Sequence, residues 1–117
     1  MTTLEVANRL IELCRNGQVL ESQQELFADN VTSHEPAHTN QPAAIGKDAV
    51  LAKGKHFASL IEKRHSGSFE DPIVAGAYFS FVCKLDAELK GMGRVVWDEI
   101  CVFGVKDGKV ISEQFFY

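Results

Sequence analysis

The sequence lacks the features that mark several large classes of protein. No apolar run approaches the roughly 18 residues that a bilayer crossing requires, so no membrane partner is expected. No cluster of lysines and arginines is present and the formal net charge is −4, which argues against a nucleic-acid-binding surface. The first ten residues show no basic segment followed by an apolar one, so we expect no signal peptide and a cytoplasmic location.

Motifs for metals, phosphates and covalent nucleophiles are also missing. The cysteines Cys14, Cys83 and Cys101 are an odd number without CxxC spacing at apolar positions, so we interpret them as small core residues. The Gly-Met-Gly run at 91–93 fits a hairpin turn and lacks the helix that follows a phosphate loop. No serine or threonine falls in an evident His/Asp relay. We therefore expect no cofactor and no metal.

One short segment imitates a zinc-protease signature. Residues 34–38 read HEPAH, which fits the letters HExxH. That motif works on a helix, where both histidines share a face. Pro36 disfavours helical geometry at Glu35, so we reject a metalloprotease. A looser surface site using His34 and His38 stays open as an alternative.

The order of the apolar patterns predicts one α+β domain over residues 1–117. The 45% hydrophobic and 24% charged fractions are typical of an ordinary globular protein of this length. Apolar residues recur at helical spacing in the first half and alternate in the second. The predicted elements are helices at about 4–15, 18–28 and 47–63, a short strand at 31–34, a loop at 35–46, and strands at 69–75, 78–90 and in the closing hairpin 91–117.

The closing hairpin carries the most informative anomaly. Its first strand places Val95, Trp97, Glu99, Cys101 and Phe103 on one side, and its second places Ile111, Glu113, Phe115 and Tyr117 there. Each of these faces is apolar except for one glutamate. A carboxylate on such a face is costly unless something pairs with it or uses it.

Two interpretations of Glu99 and Glu113 stay open. If they lie within several ångströms on adjacent strands, mutual repulsion and burial would raise a pKa and tune one of them for acid/base work. Alternatively, they bond Trp97, Tyr117, a histidine or Arg9 and only hold the sheet together.

A curled sheet closed on one side by helices also predicts an apolar cavity at its wide mouth, occupied by a small hydrophobic molecule. Most of the aromatic residues will be core, and some will form the cavity wall. The candidate lining residues are Leu10, His56, Phe57, Phe81, Trp97, Phe103, Phe115 and Tyr117.

The opposite face of the sheet is unusually apolar for a monomer. We therefore predict a homodimer packed sheet to sheet. The residues that carry this prediction are Val82, Val96, Ile100, Val102 and Phe116.

The chain resembles the NTF2-like superfamily, within it the SnoaL-like and ketosteroid-isomerase-like branch. The likeness lies in LFADNVTSHEP at 26–36, in Ile45-Gly46, and in VFGVKDGKVISEQFFY at 102–117. It implies an NTF2-like cone, in which three N-terminal helices pack on a curled, mostly antiparallel sheet. The superfamily hosts isomerases, cyclases, hydrolases, dehydratases and non-catalytic binders, so its motifs indicate the fold rather than an activity.

The resemblance also implies roles for particular residues. Glu35, before Pro36, occupies the place of the isomerases' general base, and Glu99 matches their protonated acid if the hairpin turn is one residue longer. The tyrosine of the first helix is missing, because Leu10 or Ile11 stands in its place. His56-Phe57 falls where isomerases carry aromatic residues on the third helix.

Two functions from different classes therefore stand at this stage. One is an enzyme with an apolar pocket that performs cofactor-independent acid/base chemistry (isomerisation, cyclisation, dehydration or hydrolysis) on a small hydrophobic carbonyl compound. Glu35 would be its base, and Glu99, alone or with Glu113, its acid or the group that stabilises the oxyanion. The other is a non-catalytic ligand-binding or dimerisation module of the same fold. The sequence does not decide between an enzyme and a binding module.

Overall fold

The computed structural model describes all 117 residues, which form three α-helices and seven strands. The helices lie in the first half of the chain, with two strands between the second and the third helix. The other five strands lie in the second half. None of the helices combines the length and the apolar character that a bilayer crossing requires. The elements are α1 (Thr3–Arg15), α2 (Val19–Leu26), β1 (Phe27–His34), a 3-10 turn (Ala37–Thr39), β2 (Ala44–Ile45), α3 (Lys47–Leu60), β3 (Ile61–Phe69), β4 (Ile73–Ala75), β5 (Tyr78–Leu89), β6 (Gly93–Lys106) and β7 (Lys109–Phe116).

The strands form one curled, unclosed sheet in the order β2-β1-β7-β6-β5-β3, with β4 paired to β5. Every pairing is antiparallel except that of β1 with β7, which is parallel. The prediction of an α+β fold with three helices on a curled, mostly antiparallel sheet is confirmed.

Helix α1 begins as the sequence predicts. The Thr2 hydroxyl accepts a hydrogen bond from the Glu5 backbone at 3.1 Å, and the Glu5 carboxylate accepts one from the Thr2 backbone at 2.8 Å. This capping box satisfies two backbone N–H groups that the first turn leaves free. The buried face of α1, which includes Leu10, Ile11 and Cys14, then packs into the curl of the sheet.

The second helix is shorter than predicted. It ends at Leu26, and the chain becomes extended at Phe27, where the prediction continued the helix to about residue 28. Phe27 is buried and pairs with Val110 of β7. The hydrogen bonds and burial that β7 offers outweigh another turn of helix, so β1 is eight residues long rather than the four predicted.

The third helix also ends early, at Leu60. The His-Ser-Gly run at 65–67, just past the predicted end at about residue 63, lies inside β3, where Ser66 pairs with Asp86 and Gly67 with Leu85. The predicted strand 69–75 is divided, since Phe69 ends β3 and only Ile73–Ala75 form β4. Part of the predicted loop 35–46 forms a 3-10 turn and β2. These boundaries are decided by pairing between strands that are distant in the chain. The local sequence does not reveal that pairing.

A bulge in β7 overturns the predicted inward orientation of Ile111. Val105 pairs with Val110 and Gly104 with Ser112, which leaves Ile111 as an extra residue in the strand. The inward-facing position predicted for Ile111 therefore belongs to Val110, which is fully buried. Beyond the bulge the alternation resumes, and Glu113 points inward as predicted.

The core lies between α1 and the concave face of the sheet. Phe79, Phe81 and Phe103 stack there, with 4.8 Å between the ring centroids of Phe79 and Phe103 and 5.4 Å between those of Phe81 and Phe103. All three cysteines are free, and Cys14 and Cys101 are buried. The interpretation of the cysteines as core residues rather than disulfides is confirmed for these two, and Cys83 packs against the same core.

Candidate functional site: carboxylates inside the cone

Glu113 is held at the floor of the cone by its neighbour on β1. The parallel pairing of β1 with β7 sets Ser33 beside Glu113, and the Ser33 hydroxyl donates to Glu113 Oε1 at 2.7 Å. The residue is only 5% exposed. Burial raises the pKa of Glu113 to about 7, although the Ser33 hydrogen bond acts in the opposite direction.

Lys53 of α3 reaches into the same region. Its Nζ donates to Ser33 Oγ at 2.8 Å and lies 3.5 Å from Glu35 Oε2. The ammonium also lies 5.2 Å from the centroid of the Phe115 ring, within cation–π range. One half-buried cation therefore forms an ion pair with Glu35 and reaches Glu113 through Ser33.

The sequence interpretation missed both Lys53 and Ser33. A signal for Lys53 is present, because it stands three residues after Val50 and four before Phe57, on the apolar face of the helix. A lysine in that register is as anomalous as a glutamate on an apolar strand. Ser33 gives no such signal, since its role depends on the pairing of β1 with β7.

Glu35 follows β1 and lies closer to the mouth. Its side chain is 14% exposed, and Oε1 accepts a hydrogen bond from the Tyr117 hydroxyl at 3.2 Å. The other oxygen, Oε2, is buried and accepts no hydrogen bond, although Lys53 is close to it. Glu35 therefore has one acceptor atom still available inside the protein.

Glu99 has no cation beside it. It is half-buried on β6, opposite Cys83, and its one hydrogen bond comes from the Cys101 thiol at 3.6 Å. Burial raises the pKa of Glu99 to about 7. A neutral Glu99 carboxyl group can donate a proton, and its position nearer the mouth makes it easier to reach than Glu113.

The register does not set Glu99 directly opposite Glu113. Glu113 lies opposite Phe103, four residues from Glu99 along β6, or about 13 Å at roughly 3.3 Å per residue. Desolvation, rather than repulsion between the two, is the main cause of both raised pKa values. The register that separates them follows from the turn and the bulge, which the alternating pattern does not specify.

Aromatic rings stand at the mouth of the cone. The Phe57 and Trp97 ring centroids are 5.8 Å apart and those of Trp97 and Tyr117 are 6.2 Å apart, with nearly parallel planes. His38, from the 3-10 turn, meets Tyr117 edge-on at 6.1 Å. Burial, followed by the nearby Glu35 charge, raises the pKa of Tyr117 to about 12, so its hydroxyl is a donor at neutral pH.

The structure thus brings some predicted site residues together and leaves others apart. The three glutamates share the cone with Phe57, Trp97, Phe115 and Tyr117. Three other candidate lining residues, Leu10, Phe81 and Phe103, are buried in the core, whereas His56 is exposed on α3.

The other partners considered for the glutamates lie elsewhere. Arg9 pairs with Glu12 and Glu25 near the surface. His34 is on β1, hydrogen-bonded to the Thr32 hydroxyl, and His38 is in the 3-10 turn, so the HEPAH segment does not place both histidines on one helical face.

Two surface hollows are found away from the carboxylates. One of about 350 Å³ is lined by Asp29 and by residues 45–49 at the start of α3. The other, of about 170 Å³, lies between β3, β5 and β6 and includes Trp97 at its edge. The apolar cavity beside the three glutamates stays a prediction.

A curled, unclosed sheet that carries three helices on its concave side defines the NTF2-like, or cystatin-like, class of α+β folds. The chain belongs to the SnoaL-like family, because the model of the SnoaL-like domain matches residues 1–117. A search of curated proteins found no match.

Solved structures agree with that assignment. A Mesorhizobium loti protein, named for its likeness to SnoaL-like polyketide cyclases, is 33% identical over the whole of both chains, with a TM-score of 0.92. A protein of similar description from Jannaschia is 17% identical, with 97% of this chain and 83% of that one covered and a TM-score of 0.78. A ketosteroid-isomerase-like protein from Catenulispora acidiphila, solved with trimethylamine, is 16% identical over 97% and 85%, with a TM-score of 0.75.

Proposed function

We propose that this protein is a cofactor-independent acid/base catalyst that acts on a small hydrophobic carbonyl compound. Glu35 serves as the base and Glu99 as the acid. The observation that carries the proposal is the difference between their surroundings. Glu35 has an ammonium and a phenol beside its carboxylate, whereas Glu99 is half-buried with only a thiol as its hydrogen-bond partner.

The chemistry that fits this arrangement begins with proton removal next to a carbonyl group. Glu35 takes the proton from the α-carbon, and the neutral Glu99 donates its proton to the carbonyl oxygen, giving an enol. Return of protons at different atoms completes an isomerisation. Elimination of a hydroxyl group or attack on a second carbonyl gives a dehydration or a cyclisation.

Tyr117 and Glu113 support these two residues. The Tyr117 hydroxyl orients Glu35, so the cone contains a tyrosine donor although helix α1 has Leu10 and Ile11 where related isomerases carry one. Glu113 is too deeply buried to touch a substrate and contributes through Ser33 and Lys53.

The same surroundings restrict the class of substrate that fits the site. Phe57, Trp97 and Tyr117 offer flat apolar surface at the mouth, which favours a ring or another planar apolar body. Glu35 already pairs with the Lys53 ammonium, and no other cation forms an ion pair with these glutamates, so an anionic compound finds no free positive charge there. An uncharged aromatic or cyclic ketone fits best.

Hydrogen–deuterium exchange tests the proposal without knowledge of the full reaction. Uncharged cyclic and aryl ketones are incubated with the protein in D2O, and deuterium at the α-carbon is followed by NMR. We expect exchange above the buffer rate for at least one compound, and a loss of roughly 100-fold or more in Glu35→Gln and in Glu99→Gln. Glu21→Gln, at an exposed position on α2, is the control and should match the wild type. No exchange with any ketone, or equal rates in Glu35→Gln and wild type, contradicts the proposal.

The stacked rings at the mouth favour a second candidate function. Phe57, Trp97 and Tyr117 pack on one another, and the two hollows described above lie elsewhere, as a non-catalytic module would allow. Such a module would bind a ketone of the panel, seen as shifts of the Trp97 indole N–H signal, and would show no exchange at its α-carbon.

A further inference from the structure

We propose that Lys53 is a positioning residue that assigns the base role to Glu35 and leaves Glu99 as the acid. This inference rests on the proposed function and adds to it a residue that the alternating pattern of the strands did not reveal. Lys53 acts through the glutamates and is not itself assigned a contact with substrate.

The three carboxylates differ in their access to the ammonium. Glu35 is in direct ion-pair contact at 3.5 Å. Glu113 is one step removed, because Ser33 accepts from Lys53 at 2.8 Å and donates to Glu113 at 2.7 Å. Glu99 contacts neither Lys53 nor Ser33, and no other lysine or arginine forms an ion pair with any of the three.

This order decides where a negative charge is best accommodated. A buried carboxylate is stabilised by an opposite charge within about 4–6 Å and is otherwise pushed towards its neutral form by desolvation. A single ammonium can offset the charge of one of the three carboxylates. The geometry places the Lys53 ammonium against Glu35. The proton then stays on Glu99, the carboxyl group with the weakest partners.

The fold, and not only the flexibility of a long side chain, sets the position of Lys53. Helix α3 starts at Lys47 after Gly46, whose backbone N–H donates to the Val31 carbonyl at 2.8 Å and ties the helix to β1. Val50 is buried in the core, and Lys53 follows it by one helical turn on the same face. The Lys53 side chain is 29% exposed, and its ammonium contacts Ser33 and Glu35 inside the cone.

A lysine with a purely structural role would make the same contacts. The test therefore needs a measurement that a change in packing alone would not alter. Lys53→Met keeps the length and the apolar stem without the charge, and Lys53→Arg keeps the charge. Lys55→Met, two residues on and exposed, is the matched control. The measurement is the 13C chemical shift of each glutamate carboxyl carbon in the full chain as the pH is varied, without any ligand.

We expect Lys53→Met to raise the pKa of Glu113 further above about 7, because the Lys53 charge lowers it in the wild type. Lys53→Arg and Lys55→Met should reproduce the wild-type titration of Glu113. A Lys53→Met protein whose Glu113 signal titrates as in the wild type would overturn the assignment.

The outcome is separable from that of the proposed function. Unchanged titration in Lys53→Met, together with loss of deuterium exchange in Glu99→Gln, removes the role of Lys53 and keeps the acid/base catalyst. A shifted titration with no exchange by the wild type keeps the charge assignment and removes the catalyst. If Lys53→Met fails to fold, Lys53→Gln gives the same comparison with a polar side chain.

Discussion

At the scale of single residues, Glu99 and Glu113 are candidate acid/base groups, and their ionisation also lowers the stability of the fold as the pH rises. Both lie in a mostly apolar cone, and burial raises the pKa of each from 4.5 to about 7. A folded state that binds protons more tightly than the unfolded chain is stabilised at low pH. The contribution is fully present below about pH 4.5 and is lost as the pH rises through about 7.

The two glutamates should therefore make stability fall between pH 5 and pH 8. At about 1.4 kcal/mol per unit of pKa difference, each contributes at most a few kcal/mol to this fall. Glu113→Gln, which can still accept from Ser33, should flatten the dependence and be more stable than the wild type at pH 8. Urea unfolding at a series of pH values measures this, and a Glu113→Gln profile parallel to that of the wild type would contradict it.

The inward position of Glu113 was predictable from the sequence, whereas its partners were not. Strand alternation is local, so it places Glu113 on the concave face even though the bulge exchanges Ile111 for Val110. Ser33 comes beside Glu113 only because β1 runs parallel to β7, a pairing between segments 80 residues apart. The separation of Glu99 and Glu113 depends on a different register, that of the β6–β7 hairpin and its bulge.

At the scale of elements, helix α3 determines which charge enters the cone. Its N-cap, Gly46, has φ +91 and ψ 154, a backbone conformation that side chains strongly disfavour. Its backbone N–H also joins the helix to β1. The start of α3 and the location of Lys53 are therefore fixed by one glycine.

Gly46→Ala should destabilise the protein by about 1–3 kcal/mol, because a Cβ is strained at this φ. Chemical unfolding followed by circular dichroism measures the change. Ala43→Gly, in the exposed segment just before β2, is the comparison, and we expect a change of only a few tenths of a kcal/mol. A Gly46→Ala protein as stable as the wild type would show that α3 can start without this conformation.

Element boundaries show where local sequence is insufficient. The start of α1 was predictable because its capping box involves only Thr2 and Glu5. The ends of α2 and α3 were not, because Phe27 and Ile61 leave the helix to join strands whose partners are distant in the chain. Helical spacing extends past both residues, and the sheet overrides it.

At the scale of the whole molecule, the convex face of the sheet is the largest unexplained feature. Val96 is 72% exposed, Ile100 50% and Phe116 47%, and Ile100 pairs with Val82 on one side and Phe116 on the other. The neighbouring cross-strand pair of Lys84 and Asp98 offers one charge of each sign. We propose that two copies pack sheet to sheet over this patch, because a two-fold arrangement can match opposite charges and covers the apolar residues.

Ile100→Glu should convert the proposed dimer to a monomer, since two buried carboxylates would face each other near the two-fold axis. Sedimentation equilibrium measures the mass of the wild type and the variant. Leu4→Glu, at an exposed apolar position of α1, should remain dimeric. A wild-type protein that sediments as a monomer of 12.9 kDa would contradict the proposed interface.

The central claim is that the cone holds a buried carboxyl group that is ready to donate a proton at neutral pH. The 13C titration of Glu99 in the wild-type protein tests it most directly, with the Glu99→Gln spectrum identifying the signal. We predict a midpoint near pH 7, set mainly by burial. A midpoint near 4.5, the value of an unperturbed glutamate, would contradict the account and favour the non-catalytic module.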